Sequence, residues 1–274
     1  PPNKEGKIHP AILYTANLVG INKVYKSGGA QAIAAMAYGT ESIPQAYKIF
    51  GPGNQFVTKA KELVQLCGVA IDMPAGPSEV LIIADETCNP SFVAADLLSQ
   101  AEHGTDSQVI LLSDNEKVIE DTIAELTKQL AELPRFDIAA QALKNSSAIV
   151  LETINDCIQF SNEYAPEHLI LASEKADNWL DNITNAGSVF IGNYSCESAG
   201  DYASGTNHTL PTNGYAKNYS GVSLDSFVKK VTFQKLSKQG IQNIGPAIEL
   251  MAKAEELFAH KNAVTLRLKQ LDNV

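Results

Sequence analysis

The chain has 274 residues, 45% hydrophobic and 19% charged, a composition able to bury the core of one large domain or two smaller ones. Its 31 acidic against 21 basic residues give a net charge of -10, which argues against a nucleic-acid or anionic-membrane partner. No apolar run reaches spanning length, and the opening Pro-Pro-Asn-Lys-Glu-Gly-Lys does not look like a signal peptide. Cys67, Cys88, Cys157 and Cys196 form no Cys-x-x-Cys pair, so free thiols in a reducing cytoplasm are expected. Cys196 lies in a polar loop without the positive neighbour that activates a thiolate.

Along the first 75 residues helix and strand alternate. Pro10 to Leu18 reads as a helix, Lys23-Val-Tyr25 as a short strand, and Gln31 to Tyr38 as a helix after the Ser27-Gly-Gly-Ala turn. Tyr47 to Phe50 is the next strand, then Gly51-Pro-Gly-Asn54 turns into a helix ending near Leu66, followed by a strand over Val69 to Met73. Units of this length imply a parallel sheet covered by helices. The pattern opens on a helix where this class opens on a strand, so a missing N-terminal segment is expected.

Pro74-Ala-Gly-Pro-Ser-Glu79 is rich in turn formers and marks a boundary. Strands are expected at Val80 to Ala84, Gln108 to Leu112, Ala148 to Leu151, Leu169 to Leu171 and Ser188 to Ile191. Helices fall between them, at Pro90 to His103, Glu116 to Leu130, Ile154 to Glu163 and Ala176 to Asn182. A long Gly-, Ser-, Asn- and Tyr-rich loop runs from Asn193 through Gly221, a length usually functional or disordered. Helices at Gln242 to Phe258 and Ala263 to Leu271 close the chain. The expected fold is α/β: two incomplete doubly wound, Rossmann-like parallel-sheet domains at 1–76 and 77–222, plus a helical tail at 223–274.

The helix from Pro90 starts on an Asn89 N-cap and ends where Gly104 suits a left-handed C-cap. Gln100 and His103 then share a face at the end where the helix dipole favours a cation, half of a possible metal site. Gly51-Pro-Gly-Asn54, following a strand and opening a helix, is the context for holding a phosphate on backbone N–H groups. Phe56 stands where the dinucleotide fingerprint has its third glycine, and a plain tight turn is as consistent. Ala165-Pro-Glu-His-Leu169 sets a carboxylate beside an imidazole at a strand's mouth, the pair that acid–base chemistry needs near neutral pH. Gly200 to His208 carries Asp201 and His208 in one loop; Glu255 and His260 share a helix face only if the helix breaks between them, as an Asn262 N-cap implies. Four of the five histidines, all but His9, thus sit at element ends beside polar residues.

These motifs carry a resemblance. Gly51-Pro-Gly-Asn54, Asp72-Met-Pro-Ala-Gly-Pro-Ser-Glu-Val80, Ser99-Gln-Ala-Glu-His-Gly104, Ala165-Pro-Glu-His-Leu169, Gly200 to Pro211 and Ala259-His-Lys-Asn-Ala263 resemble histidinol dehydrogenase along the whole chain, with roughly the family's N-terminal third lacking. The resemblance implies NAD-linked, four-electron oxidation of L-histidinol through L-histidinaldehyde to L-histidine, in the last steps of histidine biosynthesis. It implies zinc on Gln100, His103, Asp201 and His260, the last supplied in trans within a homodimer. It implies Glu167 and His168 as the acid–base pair. Substrate contacts would come from Ser78, His208 and Glu255 beside Gln100, His103, His168, Asp201 and His260, and NAD contacts from Gln31 and Asn54. A cytoplasmic enzyme without nucleic-acid or membrane partners follows. A zinc hydrolase, with Glu167 activating water, and a catalytically inactive metal-binding dimeric fragment stand as alternatives.

Overall fold

The computed structural model describes residues 2–74 and 76–272. Pro1, and Ala75 within the turn-rich segment 74–79, lie outside the described residues. By internal contacts the chain forms two compact units, Pro1–Phe227 and Val228–Val274.

The first unit holds two parallel sheets. In the smaller, β1 (Lys48–Ile49) pairs with β2 (Ala70–Ile71). After α1 (Pro10–Leu18), which buries no residue, helices α2 (Gly29–Tyr38) and α3 (Gln55–Gln65) pack on this sheet, and Ile33, Ala37, Ile49, Val64, Val69 and Ile71 form its core. The larger sheet is five-stranded. It comprises β3 (Glu79–Ala84), β4 (Gln108–Ser113), β5 (Ser147–Val150), β6 (His168–Ala172) and β7 (Ser188–Ile191), in the order β5-β4-β3-β6-β7, all parallel. The connections are α4 (Pro90–Ala101), α5 (Glu116–Glu132), α6 (Phe136–Ala142) and α7 (Ile154–Tyr164), with a 3-10 helix over Ala176–Asn182.

Strand β3 shows why the sequence folds this way. It lies mid-sheet with both faces covered, so an apolar run rather than an alternation is required. Val80, Ile82 and Ala84 pack on Val93, Leu97 and Leu98 of α4, whereas Leu81 and Ile83 pack on Cys157 and Ile158 of α7. Each fully buried Leu or Ile side chain contributes roughly 1.5–3 kcal/mol. The chain order reverses between β3 and β6, the point where open α/β sheets usually bind ligands beyond their carboxyl ends. Here that end is occupied by the protein itself. Asp85 accepts from the Thr87 amide (2.9 Å) and from Ser173 Oγ (2.7 Å), and both Asp85 and Ser173 are buried.

In the second unit, α9 (Lys238–Ala254), capped by Ser237 at the Gly240 amide, packs on α10 (Phe258–Asp272). No helix of the described residues is long and apolar enough to cross a membrane.

Several expectations need correction. Lys23-Val-Tyr25 is not a strand: no described segment pairs with it, and Val24 and Tyr25 are exposed. Helix α4 stops at Ala101, two residues before His103, and Gly104 is not left-handed; a Cβ there would instead lie 2.8 Å from Asp106 Oδ1. The loop 193–221 contains α8 (Glu197–Tyr202), whose buried Glu197 hydrogen-bonds Ser99. Helix α6 was not expected from the sequence, and Ala176–Asn182 is 3-10 rather than α. Asn262 lies inside α10; the break falls earlier, at Glu255 and at Glu256, whose φ is 57°.

Candidate functional site

A cavity of about 210 Å³ lies between the carboxyl edge of the small sheet and the amino edge of the large one. Gly51, Pro52, Gly53, Lys61 and Asp72 line one side; Ser78, Gln100, His103, Glu167, His168, Asp201 and His208 line the rest. A larger cavity in the second unit, about 610 Å³, is lined by Leu236, Ile241, Ile248 and Val264 among others and carries no carboxylate or imidazole.

Local structure delivers the central pair. Helix α7 ends on Ala165 in the left-handed conformation (φ 57°), Pro166 follows, and β6 begins at His168. Glu167 therefore precedes the regular strand and reaches the same cavity as His168, and both are buried. Glu79, at the matching start of β3, serves both with its backbone. Its N–H donates to Glu167 Oε2 (2.9 Å), and its carbonyl lies 3.0 Å from His168 Nδ1 and 3.2 Å from Gln100 Nε2.

The contact with the Glu79 carbonyl favours one imidazole tautomer. A carbonyl only accepts, so Nδ1 carries the proton and Nε2 the lone pair. Gln100 Nε2 lies 3.0 Å from Nδ1, a contact of two donors that both converge on the Glu79 carbonyl. Nε2 is buried without a hydrogen-bond partner; Asp201 Oδ1 stands 3.8 Å away, too far for one. The nitrogen able to take a proton is thus the unengaged one. Burial pushes the imidazole's pKa down, but Asp201, Glu167 and the Glu79 carbonyl together hold it above its usual value. Burial lifts Glu167 to about 7, against the opposing pull of His168 and the Glu79 amide. A carboxyl lifted to about 7 beside a neighbouring imidazole suits proton transfer in either direction.

Cation donors gather beside the pair. Gln100 is 1% exposed, and its Nε2 also faces Glu167 Oε2 at 3.4 Å, which leaves Oε1 buried without a partner. Ligand atoms of His103, Glu197 and Asp201 all lie within 4.8 Å of one another. His168 beside it holds Asp201 below the usual carboxylate range, whereas burial raises Glu197. An orphaned amide oxygen next to an imidazole and two carboxylates fits a divalent cation of the zinc, manganese or cobalt kind.

The expected residues do not all meet here. Ser78, Gln100, His103, Glu167, His168, Asp201 and His208 line one cavity. Asn54 lines a neighbouring cavity of about 340 Å³ with Ser78 and His103. Its side chain caps α3, accepting from the Phe56 and Val57 amides at 3.1 and 3.2 Å. Gln31 is exposed on the first turn of α2. Glu255 and His260 belong to the second unit, on either side of the helix break. For a dinucleotide, the fit rests on the space over Gly51, where an added Cβ would meet nothing within 4 Å; the Gly51 N–H and C=O themselves are engaged by Asp72 and Lys61. Sequence reading missed Glu79, Glu197, Lys61 and Asp72. Glu197 had a usable signal, because it stands four residues before Asp201 on what proves to be one helix.

Parallel α/β sheets here meet at a buried carboxyl–imidazole pair beside a group of side chains able to hold a cation, an arrangement of the α/β class. Residues 1–268 match the family model for histidinol dehydrogenase, and the chain belongs to that family. It is 62% identical over 271 residues to a histidinol dehydrogenase of Bacteroides thetaiotaomicron, covering 99% of this chain and 63% of that protein. One from Xanthomonas campestris pv. campestris is 58% identical over 269 residues, covering 98% and 62%. The crystal structure of the Elizabethkingia anophelis histidinol dehydrogenase superposes with a TM-score of 0.97 at 69% identity, over 99% of this chain and 63% of that one. The chain therefore spans less than two thirds of the length of these relatives.

Proposed function

We propose that the protein oxidises L-histidinol through L-histidinaldehyde to L-histidine in the cytoplasm, as a zinc-dependent homodimer that uses NAD. The observation that carries this reading is the sharing of one cavity by Glu167 and His168 with Gln100, His103 and Asp201. Residues 1–76 would serve the cofactor, 77–222 the metal and the chemistry, and 223–274 the dimer contact.

His168 accepts the alcohol proton at Nε2, while its Nδ1–H stays on the Glu79 carbonyl and holds the ring's orientation. Glu167 takes the proton of the water that adds to the aldehyde, aligned by the bond from the Glu79 amide. Its placement near neutrality lets it release that proton again before the next turnover. NAD, when bound, supplies the acceptor for one hydride at each of the two oxidation steps. Gln100, His103 and Asp201, with His260 from the second copy, would hold zinc, whose chemistry here is to fix the substrate and polarise it. Ser78, His208 and Glu255 would contact the substrate, and Gln31 and Asn54 the cofactor.

The test is absorbance of reduced nicotinamide when L-histidinol and NAD are added to the zinc-loaded full-length protein. About two reduced cofactors per histidinol consumed are expected from a four-electron oxidation passed on two electrons at a time. No reduction, or hydrolysis of ester and amide substrates instead, would overturn the reading.

A further inference from the structure

Lys61 and Asp72 form an ion pair that none of these roles uses. Their side chains are 5% and 0% exposed, and a lysine is almost never this buried unless paired. Lys61 Nζ also donates to the Gly51 carbonyl (2.9 Å), and Asp72 Oδ2 accepts from the Gly51 amide (2.8 Å). The other carboxylate oxygen accepts from the Met73 amide (2.8 Å). One pair of charges therefore grips both the donor and the acceptor of a single glycine, whose φ of 135° a side chain would rarely adopt.

Stability does not account for this arrangement. A buried ion pair is commonly no more stable than well-packed apolar residues of the same size, because desolvation offsets the attraction. Apolar residues, however, could not hold both groups of Gly51. The loop so held is Gly51-Pro-Gly53, which runs into the Asn54 cap of α3 and lines the same cavity as Gln100, His103, Glu167 and His168. It comes from the small sheet, whereas the acid–base pair comes from the large one. Its position thus sets the distance between a ligand carried on the first sheet and the chemistry carried on the second.

We propose that Lys61 and Asp72 are positioning residues that fix the glycine loop against the reacting centre, on the wall where the proposed function already places the nicotinamide dinucleotide. The N-terminus of α3, into which this loop runs, lies at the positive end of a helix dipole and suits a phosphate-bearing ligand better than the imidazole-bearing substrate. The inference rests on the function proposed above.

The experiment compares full-length wild type with Lys61→Met/Asp72→Leu and with Lys61→Arg. In the double variant KM for NAD should rise about tenfold or more, the scale of a small misplacement. Its kcat at saturating NAD should fall as well, because the loop sets the distance between the cofactor and the reacting centre, while zinc content should stay within about twofold. Lys61→Arg, which keeps the charge and its donors, should recover most of the affinity. A folded double variant with unchanged KM for NAD overturns the proposal. If the double variant does not fold, wild type decides: NAD should slow amide exchange across residues 50–57, and unaltered exchange overturns the proposal. Absence of NAD reduction by wild type sinks the functional reading first, and this inference with it.

Discussion

Replacing Glu167 with Gln should stabilise the protein at alkaline pH while removing its activity. Glu167 is 7% exposed, and burial raises its carboxyl from the usual 4.5 to about 7. Between those values the folded state holds a proton that the unfolded chain has lost. Stability contributed by this group is therefore full below about 4.5 and is lost as pH rises through about 7. At 1.36 kcal/mol per tenfold change in proton affinity, the ionised group costs the fold about 3 kcal/mol above neutrality. An uncharged amide of the same shape keeps an oxygen for the Glu79 amide and escapes the cost. The assay is urea unfolding of both proteins at pH 5 and pH 8 with a chelator present, so that metal binding adds nothing to the folded state. Glu167→Gln should gain little at pH 5 and about 1–3 kcal/mol at pH 8 relative to wild type. A stability difference that does not grow with pH would refute the assigned burial cost.

Two further predictions follow from other parts of the molecule. Chains carrying Gln100→Ala and chains carrying His260→Ala, each inactive alone, should regain activity as mixed dimers; no recovery despite verified subunit exchange would exclude a ligand supplied in trans. Burial pushes the Cys88 and Cys157 thiols to about 11 and about 12, whereas Cys67 is exposed. At pH 7.5 a disulfide reagent should therefore label Cys67 rapidly and Cys157 only on unfolding; rapid labelling of Cys157 in native protein would contradict its burial between α7 and the large sheet.

The large sheet was legible because burial on both faces leaves a mark in the chain. Val80-Leu-Ile-Ile-Ala84 and Gln108-Val-Ile-Leu-Leu112 can be little else, and Asn89-Pro90 announces its own helix. Errors gathered where partners lie far off in sequence. Lys23-Val-Tyr25 has strand composition, but a strand exists only by pairing. Gly104 looked like a left-handed cap, whereas its neighbourhood with Asp106 is a matter of space. The candidate site was legible as residue types at element ends, and its wiring was not. Glu79 reads as the flank of a turn, and nothing local reveals that its peptide serves Glu167, His168 and Gln100 together. Buried charges such as Lys61 and Asp72 are equally silent, since a helix lysine reads as solvated until its aspartate, eleven residues on, is known to meet it.

The site lies at the amino edge of the large sheet, while Asp85 and Ser173 close the carboxyl edge upon themselves. In most folds of this kind the loops past the strand ends carry the chemistry and also vary most freely, so every change of surface risks the reaction. Here those two demands fall on opposite rims. Segments after β3 and β6 offer places to attach a label, graft a peptide or tether the protein to a support with the reacting cavity facing away. The same separation leaves evolution free to remodel one rim for solubility or partners while the other keeps its donors in place.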